Sequence, residues 1–363
     1  MSEWPVVSVV IVGWNSRAHL ARCLPSLAVQ RYPYCEIIVV DNASSDGTCA
    51  WIVETYPEVQ LLRNEVNIGF AAAVNQGWAV ARGEVLVELN PDTTVEPDWL
   101  FPLVEVMQWP GVGLATARVM LMGEPERVNA CGNEMSLTGL TFCSSIGEVV
   151  EYGSKRVQHV PAVSGAAFAM SRECYERIGG FDPDYFAYFE DTDLSWRARL
   201  AGFEVVLSGG SVVFHDYAFR FSPEKMYWIE RNRHLTLFKH LRLSTLLRLL
   251  PALLLGEAIA WGYALMRGPR TLLAKARALG WLLRHTGEVR RRREAVQILR
   301  EVEDEGLVAS MTTTIRFDQT VPVALGKGMN AVIEPFLRWW SRRVFAPTSH
   351  HLTESREQEW NGR

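Results

Sequence analysis

The chain has 363 residues, 48% hydrophobic and 21% charged, an ordinary globular composition with room for one large domain and an appended segment. Its six cysteines form no CxxC pair, which argues against a zinc site or a disulfide framework and favours a reducing compartment. The net charge of −4 conceals a basic stretch, because residues 239–300 hold thirteen Lys and Arg against three acids.

Short apolar runs alternate with helical patterns along the first part of the chain. Strands are predicted at 6–12, 36–40, 59–63, 84–89 and 112–117, and helices at 18–27, 48–56, 70–81 and 97–107. Residues 120–158 are predicted to be loop-rich with short strands, followed by a strand at 160–170, helices at 172–178 and 194–201, and strands at 204–207 and 211–214. This alternation predicts an α/β fold with a mainly parallel sheet and helices on both faces.

Polar clusters follow the first four predicted strands. They are Gly13-Trp14-Asn15, Asp41-Asn42, residues 64–69 and Asn90-Pro91-Asp92. Each could be a plain turn, but open α/β sheets bind ligands at the carboxyl ends of their strands. No GxGxxG or GxxxxGK[ST] motif follows these strands, so a bound nucleotide would be held by side chains and a metal.

Three carboxylates, Glu190, Asp191 and Asp193, stand just before the predicted helix at 194–201. They could serve as a helix cap and as favourable dipole charges, although one carboxylate would satisfy that need. The aromatic run at 185–189 would wall a partly dry cleft, which raises the pKa of a carboxylate toward the range useful for a general base.

Two further residues are candidate metal ligands. Asp92 follows a strand end, and His215 ends a later strand. Alone, each is commonly a turn or structural residue. One carboxylate, one imidazole and two phosphate oxygens together would suit Mg²⁺ or Mn²⁺.

Several ordered motifs resemble those of the family 2 glycosyltransferases over roughly residues 5–240. The opening is carried by residues 7–15 and 38–48, the donor segment by 67–77, and the DxD position by Asn90-Pro91-Asp92. Residues 179–182 and 190–197 resemble the acceptor-side and catalytic segment of that family. The pattern is most similar to the nonprocessive, rhamnosyltransferase-like branch, and no QxxRW motif of processive synthases is present.

The resemblance implies a GT-A fold and residue roles. Asp41 would bind the nucleotide base, and the donor pocket would be lined by Asn67, Gly69, Asn75 and Asn90. Asp92 and His215 would bind the metal, Asp191 would be the base, and Glu190 would position the acceptor. Asn90 departs from the family pattern, because it replaces the first carboxylate of DxD.

The implied reaction is inverting transfer of a sugar from a nucleotide-diphosphate donor to a hydroxyl of a glycan or lipid-linked acceptor. The metal neutralises the departing diphosphate, so a single catalytic carboxylate suffices. Thymidine-diphosphate rhamnose is the first candidate donor, with UDP- and GDP-sugars as alternatives. Arg231 is expected to meet a phosphate; the alternative is a surface arginine on a helix.

The expected organisation is a catalytic domain at 1–238, with a donor half at 1–118 and an acceptor and catalytic half at 119–238. A basic, apolar helical extension follows at 239–346, and a disordered tail at 347–363. We expect the extension to lie in a membrane interface, on the cytoplasmic side, with a homo-oligomer interface or capping subdomain as alternatives. Nucleic-acid binding is disfavoured, because no recognition motif accompanies the charge.

Two other functions are alternatives. A nucleotidylyltransferase should show a glycine- and lysine-rich triphosphate loop after the first strand, and residues 13–17 lack one. A catalytically degenerate scaffold is the non-enzymatic alternative, and the presence of Asp191, Asp92 and His215 argues against it.

Overall fold

The structure is a computed structural model that describes residues 4–150, 155–218, 221–317 and 323–345. The chain divides into two compact units, the first formed by 1–132 with 143–219 and the second by 133–142 with 220–363. The second unit therefore contains the helix Pro223–His240, whereas the catalytic domain was expected to extend to residue 238. The tail expected at 347–363 lies outside the described residues.

The first unit is built on a ten-stranded mixed sheet in the order β10-β12-β6-β11-β4-β1-β2-β3, with β5 paired to β12 and β7 to β6. Its strands are β1 (Val7–Gly13), β2 (Cys35–Asp41), β3 (Gln60–Arg63), β4 (Val85–Leu89), β5 (Thr93–Val95), β6 (Val112–Leu121), β7 (Glu124–Ala130), β10 (Val157–His159), β11 (Ala167–Ser171) and β12 (Glu204–His215). The helices are α1 (Arg17–Ala28), α2 (Thr48–Thr55), α3 (Phe70–Val80), α4 (Leu100–Met107), α5 (Arg172–Ile178) and α6 (Glu190–Leu200).

The central strands are parallel and buried, as expected for a sheet covered on both faces. β1 pairs in parallel with β2 and β4, and every residue of β1 and β4 is buried. The antiparallel strand β11 lies between β4 and β6. The predicted α/β fold with a mainly parallel sheet is therefore confirmed.

Three expected boundaries in this unit were wrong. The strand expected at 160–170 is shorter and begins later, at Ala167–Ser171. The two strands expected at 204–207 and 211–214 form one strand with a bulge, β12. The acidic run does not precede α6, because the helix begins at Glu190 itself. Phe189 has a left-handed φ of 71°, so the chain turns sharply there and the three carboxylates occupy the first helical turn.

The second unit is helical apart from a small pair of strands, β8 (Asn133–Met135) and β9 (Thr141–Cys143). Its helices are α7 (Pro223–His240), α8 (Leu243–Met266), α9 (Pro269–Arg284), α10 (Thr286–Ile298), α11 (Asp304–Ala309) and α12 (Val323–Val344). Among the described residues, α8 alone is long and apolar enough to cross a membrane, with a mean hydropathy of 1.6 over its most apolar window. This is weak evidence, since core helices of soluble proteins share these properties.

A buried charge cluster fixes α8 to its neighbours within the second unit. Glu257 of α8 lies 2.9 Å from His234 Nε2 and 3.1 Å from Lys275 Nζ, and it also contacts Arg233. Glu230 pairs with Arg233 and Lys275, and these cations hold the pKa of Glu230 down at about 2 despite its burial. The charge of Glu257 is thus compensated by side chains of α7 and α9, as expected where α8 packs against these two helices.

Candidate active site

The carboxyl end of β2 presents an acidic side chain to the sheet edge. Asp41 is 2% exposed, and its Oδ2 accepts a hydrogen bond from the Ser44 amide at 3.0 Å. Its Oδ1 is buried without a hydrogen-bond partner in the part of the chain that the structure describes. A buried acceptor in that state costs free energy, so this atom is available to a ligand that donates a hydrogen bond.

Asn42, the next residue, holds the predicted donor segment against the end of β2. Its Nδ2 donates to Asn67 Oδ1 at 3.0 Å and to the Gly69 carbonyl at 3.2 Å, while its Oδ1 accepts from the Ile68 amide. Asn67 Oδ1 also accepts from the Gly69 amide at 2.9 Å. The structure therefore brings Asp41, Asn67 and Gly69 to one strand edge.

Gly69 marks a close approach between the donor segment and the aromatic run. Its φ is +86°, and a Cβ built on it would lie 2.6 Å from Phe186 Cδ2. The Phe70 amide donates to the Phe186 carbonyl at 2.7 Å. A larger residue would be strained at this φ and would also push Phe186 away.

Asn75 has a different setting from the one expected of a pocket-lining residue. Its Nδ2 donates to the Phe181 carbonyl and its Oδ1 accepts from the Phe181 amide, both at 2.8 Å. A Cβ at Gly180 would lie 2.2 Å from Asn75 Oδ1, so the glycine permits this contact. Asn75 therefore supports the backbone that leads to the acidic helix.

Asp92 and His215, distant in sequence, meet at the ends of paired strands. β5 runs antiparallel to β12 with Thr93 opposite His215, and the Asp216 amide donates to the Asp92 carbonyl at 2.9 Å. As a result His215 Nε2 lies 3.2 Å from Asp92 Oδ1. The predicted pair of metal ligands is thus adjacent, and the nearby Asn90 is held through its backbone, with its amide donating to the Ala166 carbonyl.

The hydrogen bond on the far side of His215 sets its tautomer. His215 Nδ1 lies 2.8 Å from Asn129 Oδ1, so the ring proton sits on Nδ1 and the lone pair of Nε2 points toward Asp92. Asp92 Oδ1 is buried with no hydrogen-bond partner among the described residues. Two acceptors that face each other in this way fit a divalent cation with oxygen and imidazole ligands.

Of the acids in α6, Asp193 is structural. Its Oδ2 accepts from Arg197 Nε at 2.9 Å and its Oδ1 from the Tyr185 hydroxyl at 3.1 Å. The same guanidinium donates to the carbonyls of Ile178 and Gly180, both at 2.7 Å. This buried pair fixes the start of the helix.

Asp191 and Glu190 differ in their hydrogen bonding. Asp191 Oδ2 accepts from the Gly165 amide at 3.0 Å and its Oδ1 from the Thr192 amide at 2.6 Å, so both carboxyl oxygens are held by backbone donors. Burial, then the neighbouring charge of Asp191, raises the pKa of Glu190 to about 8. Near neutral pH Glu190 therefore retains a proton beside the carboxyl group of Asp191.

Glu88 was not among the predicted site residues. It lies within β4, is fully buried, and neither carboxylate oxygen has a hydrogen-bond partner among the described residues. Burial, and then the neighbouring carboxyl groups of Glu190, Asp191 and Asp92, raise its pKa well above the ordinary value. A charged residue inside the otherwise apolar run Val85–Leu89 was the available signal, and it makes Glu88 a fourth carboxyl group of the same cluster.

Asn129 was not predicted either, because residues 120–158 were expected to be loop-rich, whereas Asn129 lies on β7.

Arg231 lies in α7 of the second unit and is 4% exposed, so the alternative of a surface arginine was wrong. Its Nε donates to Asn232 Oδ1 at 2.9 Å, and its guanidinium stacks 4.5 Å from the ring centroid of Trp228 and 4.7 Å from that of Trp281.

The family profile described as "Glycosyl transferase family 2" matches residues 8–179. The chain is 30% identical over 238 residues to "N-acetylglucosaminyl-diphospho-decaprenol L-rhamnosyltransferase" of Mycobacterium tuberculosis, covering 59% of this chain and 76% of the relative. Among solved structures it is similar to GalNAc-T7 with UDP, GalNAc and Mn²⁺ (TM-score 0.56, 20% identity, covering 66% of this chain and 48% of that one).

The fold is also similar to that of S. aureus TarS 1-349, with a TM-score of 0.54 and 15% identity over 93% of this chain and 91% of the other. At these identities the structural likenesses establish the fold, which is GT-A, and the sequence relative establishes the family. The chain belongs to glycosyl transferase family 2.

Proposed function

We propose that this glycosyltransferase moves a sugar, with inversion, from a nucleoside-diphosphate donor to a hydroxyl of a lipid-linked glycan in cell-surface polysaccharide synthesis. Rhamnose is the first candidate sugar, supported by the name of the Mycobacterium tuberculosis relative. The observation that carries the proposal is the facing pair of His215 Nε2 and Asp92 Oδ1 in the same carboxyl cluster as Asp191.

The chemistry of each residue in the site suggests the step of the reaction in which it takes part. The base of the nucleotide would donate to the buried Oδ1 of Asp41, beside the segment that Asn42 holds in place. Asp92 and His215 would hold Mg²⁺ or Mn²⁺, which supplies the charge neutralisation that a departing diphosphate requires. A Mn²⁺ ion in the GalNAc-T7 structure supports a divalent ion in this fold.

Asp191 is the proposed general base. The backbone amides of Gly165 and Thr192 orient its carboxyl group, so that it can take the proton of the acceptor hydroxyl as that oxygen attacks the anomeric carbon. Glu190, which retains a proton near neutral pH, would donate a hydrogen bond that positions the acceptor. The donor leaves as a diphosphate anion, so no second carboxyl group has to protonate it.

We further propose that the second unit lies on the cytoplasmic face of a membrane. One face of α8 carries exposed apolar side chains at helical spacing, namely Leu243, Leu247, Leu250, Leu254, Trp261 and Leu265. A second such row on α12 comprises Val332, Phe336 and Trp339. Such rows favour a lipid surface or a second copy of the chain over solvent.

The donor assignment is tested by a thermal-shift panel of nucleotide sugars with the full chain, each with and without Mn²⁺, followed by product analysis with a lipid-linked acceptor. A donor that binds the folded state raises the melting temperature by mass action. We expect the largest shift with a thymidine-diphosphate sugar plus Mn²⁺. A chain that shifts with no donor and forms no product would be a scaffold and not an enzyme.

A further inference from the structure

Three arginines of α9 converge on a cavity within the second unit. Arg270, Arg277 and Arg284 are spaced seven residues apart, which places them on one face of the helix over four turns. They line a cavity of about 760 Å³, a volume in the range of small-molecule sites. Tyr227 and Trp228 of α7, together with Trp281 of α9 itself, form an aromatic wall of the cavity.

These arginines differ from most other cations of the second unit. Within the described ranges, the side chains of Arg270, Arg277 and Arg284 make no ion pair or hydrogen bond, whereas Arg290 pairs with Glu294 and Arg300 with Asp304. Of the described lining residues, one, Glu224, is acidic. The cavity thus has an uncompensated positive charge, which complements a multiply charged anion such as a diphosphate.

The aromatic wall is held in place by a continuous stack. The Arg231 guanidinium lies 4.5 Å from the ring centroid of Trp228 and 4.7 Å from that of Trp281, and His285 stacks on Trp281 with ring centroids 4.4 Å apart. Arg231 is buried, so these contacts hold the two indole rings in place without a ligand. A preorganised wall loses little side-chain freedom on binding.

The cavity also has an apolar side that opens to the surface. Leu273 and Ala274 line it, Leu273 is 51% exposed, and Leu283 of the same helix is 77% exposed. A ligand that fits both features carries a phosphate or diphosphate next to a hydrocarbon chain. A free nucleotide would satisfy the arginines and the aromatic wall but leave the exposed Leu273 uncovered.

We propose that the cavity between α7 and α9, lined by Arg270, Arg277, Arg284, Trp228, Trp281 and Leu273, binds the diphosphate and the first hydrocarbon units of the acceptor's lipid carrier. The inference deepens the proposed function, on which it rests, by assigning the lipid end of the acceptor to side chains of this chain. Arg231, expected from its sequence context to meet a phosphate directly, instead braces the wall of this cavity.

The test measures binding of the full chain to phosphatidylcholine vesicles that carry a polyprenyl diphosphate. Quenching of the protein's tryptophan fluorescence reports the binding. We expect Arg277→Gln and Arg270→Gln each to raise the half-saturating lipid concentration about tenfold, the usual worth of a charge-assisted hydrogen bond. The matched control is Arg291→Gln, an exposed arginine of α10 that is not among the lining residues, and it should change binding less than twofold.

Three outcomes would overturn the proposal. They are equal binding to phosphatidylglycerol vesicles of the same charge, equal affinity for inorganic pyrophosphate or a nucleoside diphosphate, and equal effects of Arg277→Gln and Arg291→Gln. Because the assay contains no nucleotide sugar, a failure here leaves the donor panel on the unaltered chain to be judged separately. Thermal melts of each variant identify any loss of folding, and Arg270→Gln serves as the second variant.

Discussion

His215 Nε2 lies 3.2 Å from Asp92 Oδ1, and the other ring nitrogen of His215 is held 2.8 Å from Asn129 Oδ1. The pairing of β5 with β12 builds this contact from residues far apart in the sequence. The arrangement presents a carboxylate oxygen and an imidazole lone pair to the same point, and Asn129 fixes the direction of that lone pair.

The first prediction concerns divalent-metal affinity. Asp92→Asn should weaken binding of Mn²⁺ in the presence of a nucleoside diphosphate more than tenfold, because it removes the anionic ligand. Asn129→Ala should weaken it about 10- to 100-fold, the usual effect of releasing a histidine ligand from its supporting hydrogen bond. Titration calorimetry measures both, and Asp98→Asn, a surface aspartate paired with Arg31, is the control. Unchanged affinity in Asp92→Asn would remove this residue from the metal site.

The second prediction concerns the pH dependence of stability. The pKa of Glu190 is raised to about 8 from 4.5, so between these values the folded protein retains a proton that the unfolded chain releases. Glu190 therefore lowers stability progressively as the pH rises through this window, and the loss is complete above about pH 8. Glu190→Gln removes the loss, so its melting temperature should exceed that of the unaltered chain by more at about pH 8 than at about pH 5. A difference that is constant with pH would show that Glu190 titrates normally.

The third prediction separates backbone strain from steric contact at Gly69. Gly111 has a similar φ of +81° but open space where a Cβ would be, whereas a Cβ at Gly69 meets Phe186. Gly69→Ala should therefore destabilise the fold by about 1–3 kcal/mol more than Gly111→Ala, the usual cost of overpacking. Urea unfolding of both variants gives the difference. Equal losses would mean that Phe186 moves aside freely, and the donor segment would not be tied to the aromatic run.

The fourth prediction concerns the exposed face of α8. Replacing Leu247 and Leu254 together by Asn should reduce cosedimentation with anionic vesicles several-fold, because two apolar side chains lose their transfer free energy. Val149→Asn, an exposed apolar residue of the first unit, should leave cosedimentation unchanged. If instead the double variant changes the mass of the chain in solution and not its vesicle binding, the face is an interface between copies.

Much of the site could be predicted because its residues lie at or just after the ends of strands. Asp41 and Asp92 follow apolar β-branched runs, and the topology of an open α/β sheet carries such residues to one edge. His215 could be paired with Asp92 only through the family resemblance, since the β5–β12 contact has no local signal. Asn129 was missed for the same reason: its role depends on β7, whose exposed residues 124–126 do not predict a strand.

The start of α6 was misplaced for a local reason. Phe186, Tyr188 and Phe189 all have left-handed φ values, a conformation that aromatic side chains rarely adopt and that sequence patterns do not indicate. Glu88 was overlooked because a single acid in a buried strand has no periodicity of its own. The burial of Arg231 depends on Trp281, a residue of another helix, and only the partner Trp228 three residues away could be read from the sequence.

The most direct test of the account is sugar transfer by Asp191→Asn, measured beside the binding of the same donor. The account predicts that transfer falls by at least about 10³-fold while the affinity for the donor with Mn²⁺ stays within a factor of two or so, because the carboxylate acts on the acceptor proton. Asp98→Asn should retain full transfer. Transfer that persists in Asp191→Asn at a comparable rate would contradict the assignment of Asp191 as the base and the reaction built on it.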